Sequence, residues 1–369
     1  MKKVLIVGLT ENPGGIETVI MNYYRKIDKE KYQFDFLCTT EKIAYSNEIE
    51  RFGGKIINIV GRTKDYFEYK KQIKEFFKLH GREYCAIWVN MCNITNLDYL
   101  KLAKKSGIKT RILHSHNSQN MYSKIVQVIH KLNKMFVKMY ATDFWSCSEE
   151  AGKWFFYDSI RNSSKYIVIK NSIDTDKYKF DSNIRNEYRY NMKIDDKIVI
   201  GHVGRFQRQK NHEFLIDIFD KLVELNDNYV LLLIGDGEEK NKIEEKVNQL
   251  GLKEKVRFLG VRNDVDKLLQ SMDAFVFPSL FEGFGLAILE AEATGIPIFA
   301  TKGTIAPEVK ISDNMYLVSL DDSPEKWAEI IDSKIGLKNN SDDVVKAIKE
   351  KGYDISTEVK KIEHFFEEC

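Results

Sequence analysis

Two short segments carry the residue types and spacings that could do chemistry. In Phe277-Pro278-Ser279-Leu280-Phe281-Glu282-Gly283-Phe284-Gly285-Leu286-Ala287-Ile288-Leu289-Glu290, two glutamates stand with seven residues between them. A strand-like apolar run ends at Pro278, a loop containing glycine follows, and residues of good helix propensity begin near Gly285. Such a corner sets the unpaired N–H groups of a first helical turn, and the positive end of the helix dipole, at a sheet edge where a phosphate can be held. Glu282 would then lie close to whatever is attached to that phosphate. Glu290, one turn into the helix, would reach ribose hydroxyls. The plainer reading of the same residues is a strand-to-helix corner with two solvated glutamates.

The second segment is Gly201-His202-Val203-Gly204-Arg205-Phe206-Gln207-Arg208-Gln209-Lys210-Asn211, which follows a strand-like run and precedes an amphipathic helix at 213–225. Arg205 and Lys210 would leave the carboxyl end of that strand beside the phosphate corner. A diphosphate leaving group gains charge as its bond breaks, so fixed cations there stabilise the transition state more than the ground state. The alternative is a solvated basic loop.

Elements that could position these loops recur along the whole chain. Short β-branched runs alternate with stretches of helical period, the pattern of parallel βαβ units. Strands are expected at 4–8, 33–38, 55–59, 86–90, 110–114, 143–147 and 166–169, and again at 198–203, 229–234, 256–259, 274–278, 296–300 and 315–318. Helices are expected at 16–25, 68–78, 96–105 and 358–368 among others. The Asp/Asn/Lys-rich stretch 171–197 reads as the site of a linker, near 174–196. The fold class is therefore α/β, two doubly wound Rossmann-like domains facing each other across a cleft. The expected domains are 1–175, joined by the closing helix 355–369, and 176–354, which includes the linker. Ligands in such sheets bind beyond the carboxyl ends of the strands.

Composition narrows the class. With 369 residues, 43% hydrophobic and 30% charged, and only 21 Gly and 5 Pro, the chain is globular rather than disordered or collagen-like. A net charge of +2 gives no general reason to expect nucleic acid. Residues 1–175 nevertheless carry 29 Lys+Arg against 18 Asp+Glu, and the remainder 28 against 37, so a basic half precedes an acidic one. Such asymmetry points to an anionic surface or partner for the basic half. Cys38, Cys85, Cys92, Cys147 and Cys369 are scattered and odd in number, which fits a reducing cytoplasm rather than a disulfide framework or a metal site. The opening apolar run reads as a first strand, not a signal peptide, and no apolar stretch reaches membrane length.

One segment suggests a membrane surface. Over 121–141, Met121, Ile125, Val128, Ile129, Leu132, Met135, Phe136 and Met139 share one helical face, flanked by Lys124, Lys131, Lys134 and Lys138. A basic amphipathic helix of this kind would rest on anionic lipid, peripheral to the inner face of the cell membrane. The alternative is an ordinary helix with its apolar face in the core.

Taken together, the segments resemble the donor-site signature of retaining family-4 glycosyltransferases of the GT-B fold, in particular members from bacterial capsule and exopolysaccharide clusters. Glu282 and Glu290 match the family's glutamate pair, and Gly204, Arg205 and Lys210 its Gly-Arg-x(4)-Lys element. Gly14-Gly15-Ile16-Glu17 resembles the N-terminal glycine loop, and His114-Ser115-His116-Asn117 the strand-end histidine. Ser146-Cys147-Ser148-Glu149 and Asn171-Ser172-Ile173-Asp174 resemble interdomain markers, and Gly235-Asp236-Gly237 a second donor-domain loop. Two places depart from the pattern. Gly303-Thr304-Ile305-Ala306-Pro307-Glu308 stands where Gly-Gly-x-Pro-Glu is common, and Asn171-Ser172 where Asn-Gly is.

The resemblance implies transfer of a hexose or N-acetylhexosamine from a nucleotide-diphosphate sugar, with uracil the expected base, to a saccharide acceptor linked to a polyprenyl diphosphate. Arg205 and Lys210 would hold the diphosphate, Glu290 the ribose, and Glu282 the transferred sugar. Backbone N–H groups of Gly15, Gly285 and Leu286, with the Gly283-Phe284 loop, would complete the cradle. Val261 and Arg262 would seat the base, and His116 would stand near the anomeric carbon. Retention by same-face attack, with the departing phosphate taking the acceptor proton, is expected with neither cofactor nor metal. Asp174-Thr175-Asp176 matches a metal-binding D-x-D pattern by spacing, but it lies in the linker. An epimerase of similar fold, or a catalytically silent partner subunit, would be the competing functions.

Overall fold

The structure is a computed structural model that describes residues 1–117, 123–337 and 340–369. Thirteen strands are present among these residues: β1 (Lys2–Val7), β2 (Tyr32–Cys38), β3 (Ile56–Asn58), β4 (Ala86–Met91), β5 (Thr110–Ser115), β6 (Asp143–Ser146), β7 (Tyr166–Val168), β8 (Ile198–Val203), β9 (Tyr229–Ile234), β10 (Val256–Gly260), β11 (Ala274–Phe277), β12 (Ile298–Thr301) and β13 (Met315–Val318). Each lies where the alternation of apolar runs places it, with ends within two residues. The runs are legible because both faces of a parallel sheet are covered; β9 is buried at every position and reads as a continuous apolar stretch, whereas β2, equally buried, carries Gln33 and Asp35, which are hydrogen-bonded to Tyr24 Oη and Tyr84 Oη.

The chain divides into two compact units, Met1–Ser172 with Ile355–Cys369, and Ile173–Asp354. The first holds a seven-stranded sheet in the order β3-β2-β1-β4-β5-β6-β7, the second a six-stranded sheet ordered β10-β9-β8-β11-β12-β13. All their pairings are parallel. In each sheet the strand order reverses once, between β1 and β4 and between β8 and β11. Crevices outside the carboxyl ends of strands at such a reversal are where α/β sheets take ligands.

The polar stretch expected as a linker is folded into the second unit. It forms the helices Thr175–Tyr178 and Ser182–Met192. Arg185 Nη2 and Arg189 Nη1 bind the two oxygens of Asp273 at 2.5 and 3.0 Å, and Asp273 Oδ2 also accepts from Val199 N–H at 2.9 Å. The polar composition there serves to fasten a helix to the amino-terminal ends of β8 and β11. The unit boundary accordingly falls at Ser172/Ile173, three residues before the expected one.

The closing helix Ile355–Glu367 belongs to the first unit. Tyr32 Oη donates to Glu363 O at 2.9 Å, Lys2 Nζ to Phe366 O at 3.0 Å, and the Phe365 ring packs edge-on to Trp145 at 5.0 Å.

Candidate active site

The two chemistry-bearing segments meet because β8 and β11 are hydrogen-bonded neighbours. Their loops leave adjacent carboxyl ends and are laced together: Leu280 N–H donates to Gln209 O at 2.9 Å, Gln209 Nε2 to Phe281 O at 2.9 Å, and Asn211 Nδ2 to Pro278 O at 3.1 Å. Lys210, at the end of the turn Arg208–Lys210, then donates from Nζ to Glu282 Oε1 at 2.7 Å. Their side chains are 15% and 6% exposed, so the pair is largely withdrawn from water. The same ammonium lies 4.4 Å from the centre of the Phe277 ring.

Arg205 stands half-buried in the loop after β8. That loop is clasped by the one after β9, through Gly204 N–H to Ile234 O at 2.9 Å and Phe206 N–H to Asp236 O at 3.1 Å. The close approach needs glycine. Gly235 has φ +138°, and a Cβ there would sit 2.1 Å from Gly204 O; at Gly237 it would sit 2.4 Å from Phe206 O. The Gly235-Asp236-Gly237 loop thus has a mechanical task, holding the backbone that presents Arg205.

Beneath these loops lie two histidines that the sequence reading passed over. His202 and His212 are fully buried, with ring centroids 4.7 Å apart, and His212 stacks on Phe206 at 4.1 Å. His202 Nδ1 donates to Val276 O at 2.8 Å, whereas His202 Nε2 and both nitrogens of His212 lack partners among the described residues. Burial pushes their pKa values down, to about 3 and about 2, so both are neutral. The signal available in the sequence was a histidine inside an apolar strand run.

The helix Leu286–Ala293 starts behind Gly285, whose φ of +85° is a left-handed conformation that favours glycine. Its first-turn N–H groups, including that of Leu286, open the helix at the carboxyl end of β11. Glu290 lies one turn in and is buried. Gly283 is half-buried in the loop, while the Phe284 ring packs against Tyr353 at 5.3 Å, so Phe284 offers the loop its main chain rather than its side chain. Two residues beyond Glu290, Glu292 accepts from Ser312 N–H at 2.9 Å and Ser312 Oγ at 3.0 Å; burial raises its pKa to about 7. The atypical loop after β12 reaches the site through its backbone, Thr304 O accepting from Glu282 N–H at 3.1 Å.

Val261 and Arg262 follow β10 and are exposed. Arg262 is held by Asp264 through Nε at 2.8 Å and Nη2 at 2.7 Å. The Asp174-Thr175-Asp176 segment has structural employment: Thr175 Oγ1 donates to Asp354 at 2.5 Å and Asp176 pairs with Lys349 at 2.9 Å.

Two expected residues lie in the first unit. Gly15 opens the helix Gly15–Lys26 behind an extended Gly14, and a Cβ on Gly15 would meet nothing within 4 Å, so the chain's own packing does not require glycine there. His116 follows β5. Its Nε2 donates to Asn90 Oδ1 at 2.8 Å and its ring lies 4.1 Å from that of His114. Desolvation brings its pKa down to about 3, leaving a neutral imidazole.

The amphipathic segment forms the helix Lys124–Tyr140; Met121 lies outside the described residues. The helix is seated on its unit by His130 and Val137. Ile125, Val128, Ile129, Leu132, Met135, Phe136 and Met139 are all exposed, Ile125 at 72%, so this apolar face is not in the core. Lys134 and Lys138 bond to Trp154 O at 2.8 Å and Ser159 O at 3.2 Å, while Lys124 and Lys131 are exposed. Among the described residues no helix is long and apolar enough to cross a membrane.

Comparison with known proteins bears on the family and the fold. Residues 184–351 match the family Glycosyl transferases group 1. EpsF of Bacillus subtilis (strain 168), a glycosyltransferase by name, is 31% identical over 342 residues, covering 89% of this chain and 87% of EpsF. An Escherichia coli protein named UDP-Gal:alpha-D-GlcNAc-diphosphoundecaprenol alpha-1,3-galactosyltransferase is 24% identical, covering 80% of this chain and 78% of that one. Among solved structures, Anabaena HepE in complex with UDP and glucose superposes with a TM-score of 0.79 at 18% identity, over the full length of both chains.

Proposed function

The chain belongs to the group 1 glycosyltransferases, with the paired Rossmann-like units of the GT-B fold, and we propose that it is a retaining hexosyl- or N-acetylhexosaminyltransferase. Its donor is a UDP-sugar and its acceptor a saccharide on a polyprenyl diphosphate, in capsular or exopolysaccharide synthesis. The observation that carries this reading is the convergence of Arg205, Lys210, Glu282 and the N-terminus of the helix Leu286–Ala293 on the β8/β11 reversal.

Two fixed cations and a ring of helix N–H groups suit a diphosphate whose charge rises as the glycosidic bond breaks. Glu290 takes the ribose hydroxyls, and Glu282 the hydroxyls of the transferred sugar. The acceptor hydroxyl attacks the anomeric carbon from the face that the diphosphate leaves. The new C–O bond forms as the old one breaks, and the acceptor proton passes to the departing phosphate oxygen. His116, neutral and held by Asn90, contributes a hydrogen bond to the sugar rather than a charge. Arg205 and Lys210 perform the charge neutralisation that a metal performs in other transferases, so the reaction proceeds in EDTA.

A lipid-linked acceptor also gives the exposed face of the Lys124–Tyr140 helix a use. That helix contains no acidic residue, so its apolar side chains enter an anionic leaflet while Lys124 and Lys131 meet the headgroups. The enzyme would work from the cytoplasmic face of the membrane.

The test is thermal stabilisation by UDP, GDP and ADP, with and without EDTA, followed by transfer from a panel of UDP-sugars. A nucleotide at about 100 times its Kd adds roughly 2.7 kcal/mol. Stabilisation by UDP in EDTA supports the reading. A stronger effect of GDP or ADP overturns the base, and no stabilisation by any of the three favours a silent subunit. Interconversion of UDP-sugars without an acceptor would point to an epimerase.

A further inference from the structure

The Lys210 ammonium has two partners at once, the Glu282 carboxylate at 2.7 Å and the face of the Phe277 ring at 4.4 Å. We propose that Phe277 is a positioning residue for Lys210, its ring supporting the ammonium so that the cation passes from Glu282 to the donor diphosphate while staying in place. The inference rests on the donor-site reading above for the second half of that exchange; the first half concerns the unliganded protein alone.

A largely buried ammonium needs a compensating partner in every position it occupies. A carboxylate provides this directionally, and the pair must loosen when a diphosphate arrives and Glu282 turns to the sugar. An aromatic face attracts a cation over a broad area, so it holds the ammonium both before and after the exchange. Phe277 is itself fixed: it is fully buried, stacked with Phe275 at 5.7 Å and 22°, and with His202 at 5.3 Å and 26°. The imidazole behind the ring is neutral, its pKa pushed down to about 3 by burial, so no positive charge opposes the ammonium from below. The sequence order Phe277-Pro278-Ser279 places this ring at the last position of β11, immediately before the loop that bears Glu282.

The experiment is a double-mutant cycle with two readouts, urea unfolding of the unliganded protein and UDP affinity by calorimetry. Phe277→Leu keeps apolar bulk and removes the ring face. It should weaken UDP binding by about tenfold in the Lys210 background and by less than about twofold in Lys210→Met, the size of one desolvated cation–ring contact. Phe275→Leu, an equally buried neighbour in the same stack, should leave UDP affinity unchanged. Site-specific replacement of Phe277 by mono-, di- and trifluorophenylalanine withdraws charge from the ring face at nearly constant volume and should lower unliganded stability and UDP affinity stepwise.

Equal losses for Phe277→Leu in the two backgrounds, or a flat fluorination series, would overturn the role and leave Phe277 as ordinary core. A stepwise loss of unliganded stability with UDP affinity untouched would keep the support of Lys210 and overturn the transfer to diphosphate. If Lys210→Met itself left UDP binding unchanged, the donor-site reading would fall, while the unliganded coupling would still decide whether the ring holds the cation.

Discussion

Lys210 and Glu282 are 72 residues apart in sequence and 2.7 Å apart in space, each withdrawn from water and each carried on the loop after one of two neighbouring parallel strands. In the unliganded protein the cation proposed to hold the phosphate and the carboxylate proposed to hold the sugar therefore satisfy one another. Such a pair is costly to break from one side and cheap to remove from both.

Lys210→Met should accordingly destabilise the second unit by about 2–4 kcal/mol, because it leaves Glu282 buried and unpaired. Adding Glu282→Gln should restore most of that loss while activity stays absent. Urea unfolding of the two single variants and the double variant checks this, and additive losses would contradict it.

Arg205→Ala should leave the fold intact and lower kcat by roughly 10²–10³, the scale for losing one transition-state donor. Steady-state transfer assays measure the effect. A rate within about threefold of wild type would remove Arg205 from the site.

Gly235→Ala should act at a distance. Its Cβ would meet Gly204 O at 2.1 Å from a backbone of φ +138°, so the Arg205 loop must shift or the chain must strain, at a cost of about 1–3 kcal/mol. UDP affinity should fall with stability, whereas Gly251→Ala, whose Cβ would meet nothing within 4 Å, should lower stability through its φ of +71° without weakening UDP.

Acid should destabilise the second unit through His202 and His212. Their folded pKa values, about 3 and about 2, lie below the unfolded value of about 6.5. Below pH 6.5 the unfolded chain binds protons that the folded chain does not, so stability is present above that pH and is lost as pH falls. The limiting slope is about 1.4 kcal/mol per pH unit for each histidine. Unfolding free energies at pH 8, 6 and 5 should show the decline, and His212→Phe, which keeps the stack on Phe206, should make it shallower. Glu292 works in the opposite sense, with a folded pKa of about 7 that favours the protonated, folded form as pH drops from 7 toward 4.5.

Reversing Lys124 and Lys131 to glutamate should reduce binding to anionic vesicles by at least about tenfold, given about 1 kcal/mol for each basic residue near such a surface. Leu132→Ser with Met135→Ser should reduce binding further by removing exposed apolar area. Vesicle co-sedimentation at two salt concentrations separates the contributions, and unchanged binding in both variants would leave the apolar face without a lipid partner.

Much of this architecture is legible one segment at a time, because covered parallel strands read as short apolar runs and the loops after them carry unusual glycine, arginine and glutamate spacings. The failures have local causes. Residues 171–197 look like a linker because their composition is polar, yet Arg185 and Arg189 spend that polarity on Asp273, 88 and 84 residues away. His202 and His212 drew no notice because their isolation from water depends on the strands and loops packed around them. The helical period at 121–141 marks an apolar face but not its environment, and only the packed unit leaves Ile125, Val128, Leu132, Met135 and Met139 outside while His130 and Val137 are buried.

The sequence by itself determined the α/β class and the places of the strands, and it singled out the cations and carboxylates proposed for the donor site, since these follow from periodicity and side-chain chemistry over a few residues. Tertiary structure alone decided which groups share a site. The neighbour relation of β8 and β11, 74 residues apart at Ile200 and Ala274, brings Lys210 to Glu282 and sets its ammonium over the Phe277 ring. Strand order is a property of the whole packed sheet, set by the burial of both its faces, and no local window of residues contains it.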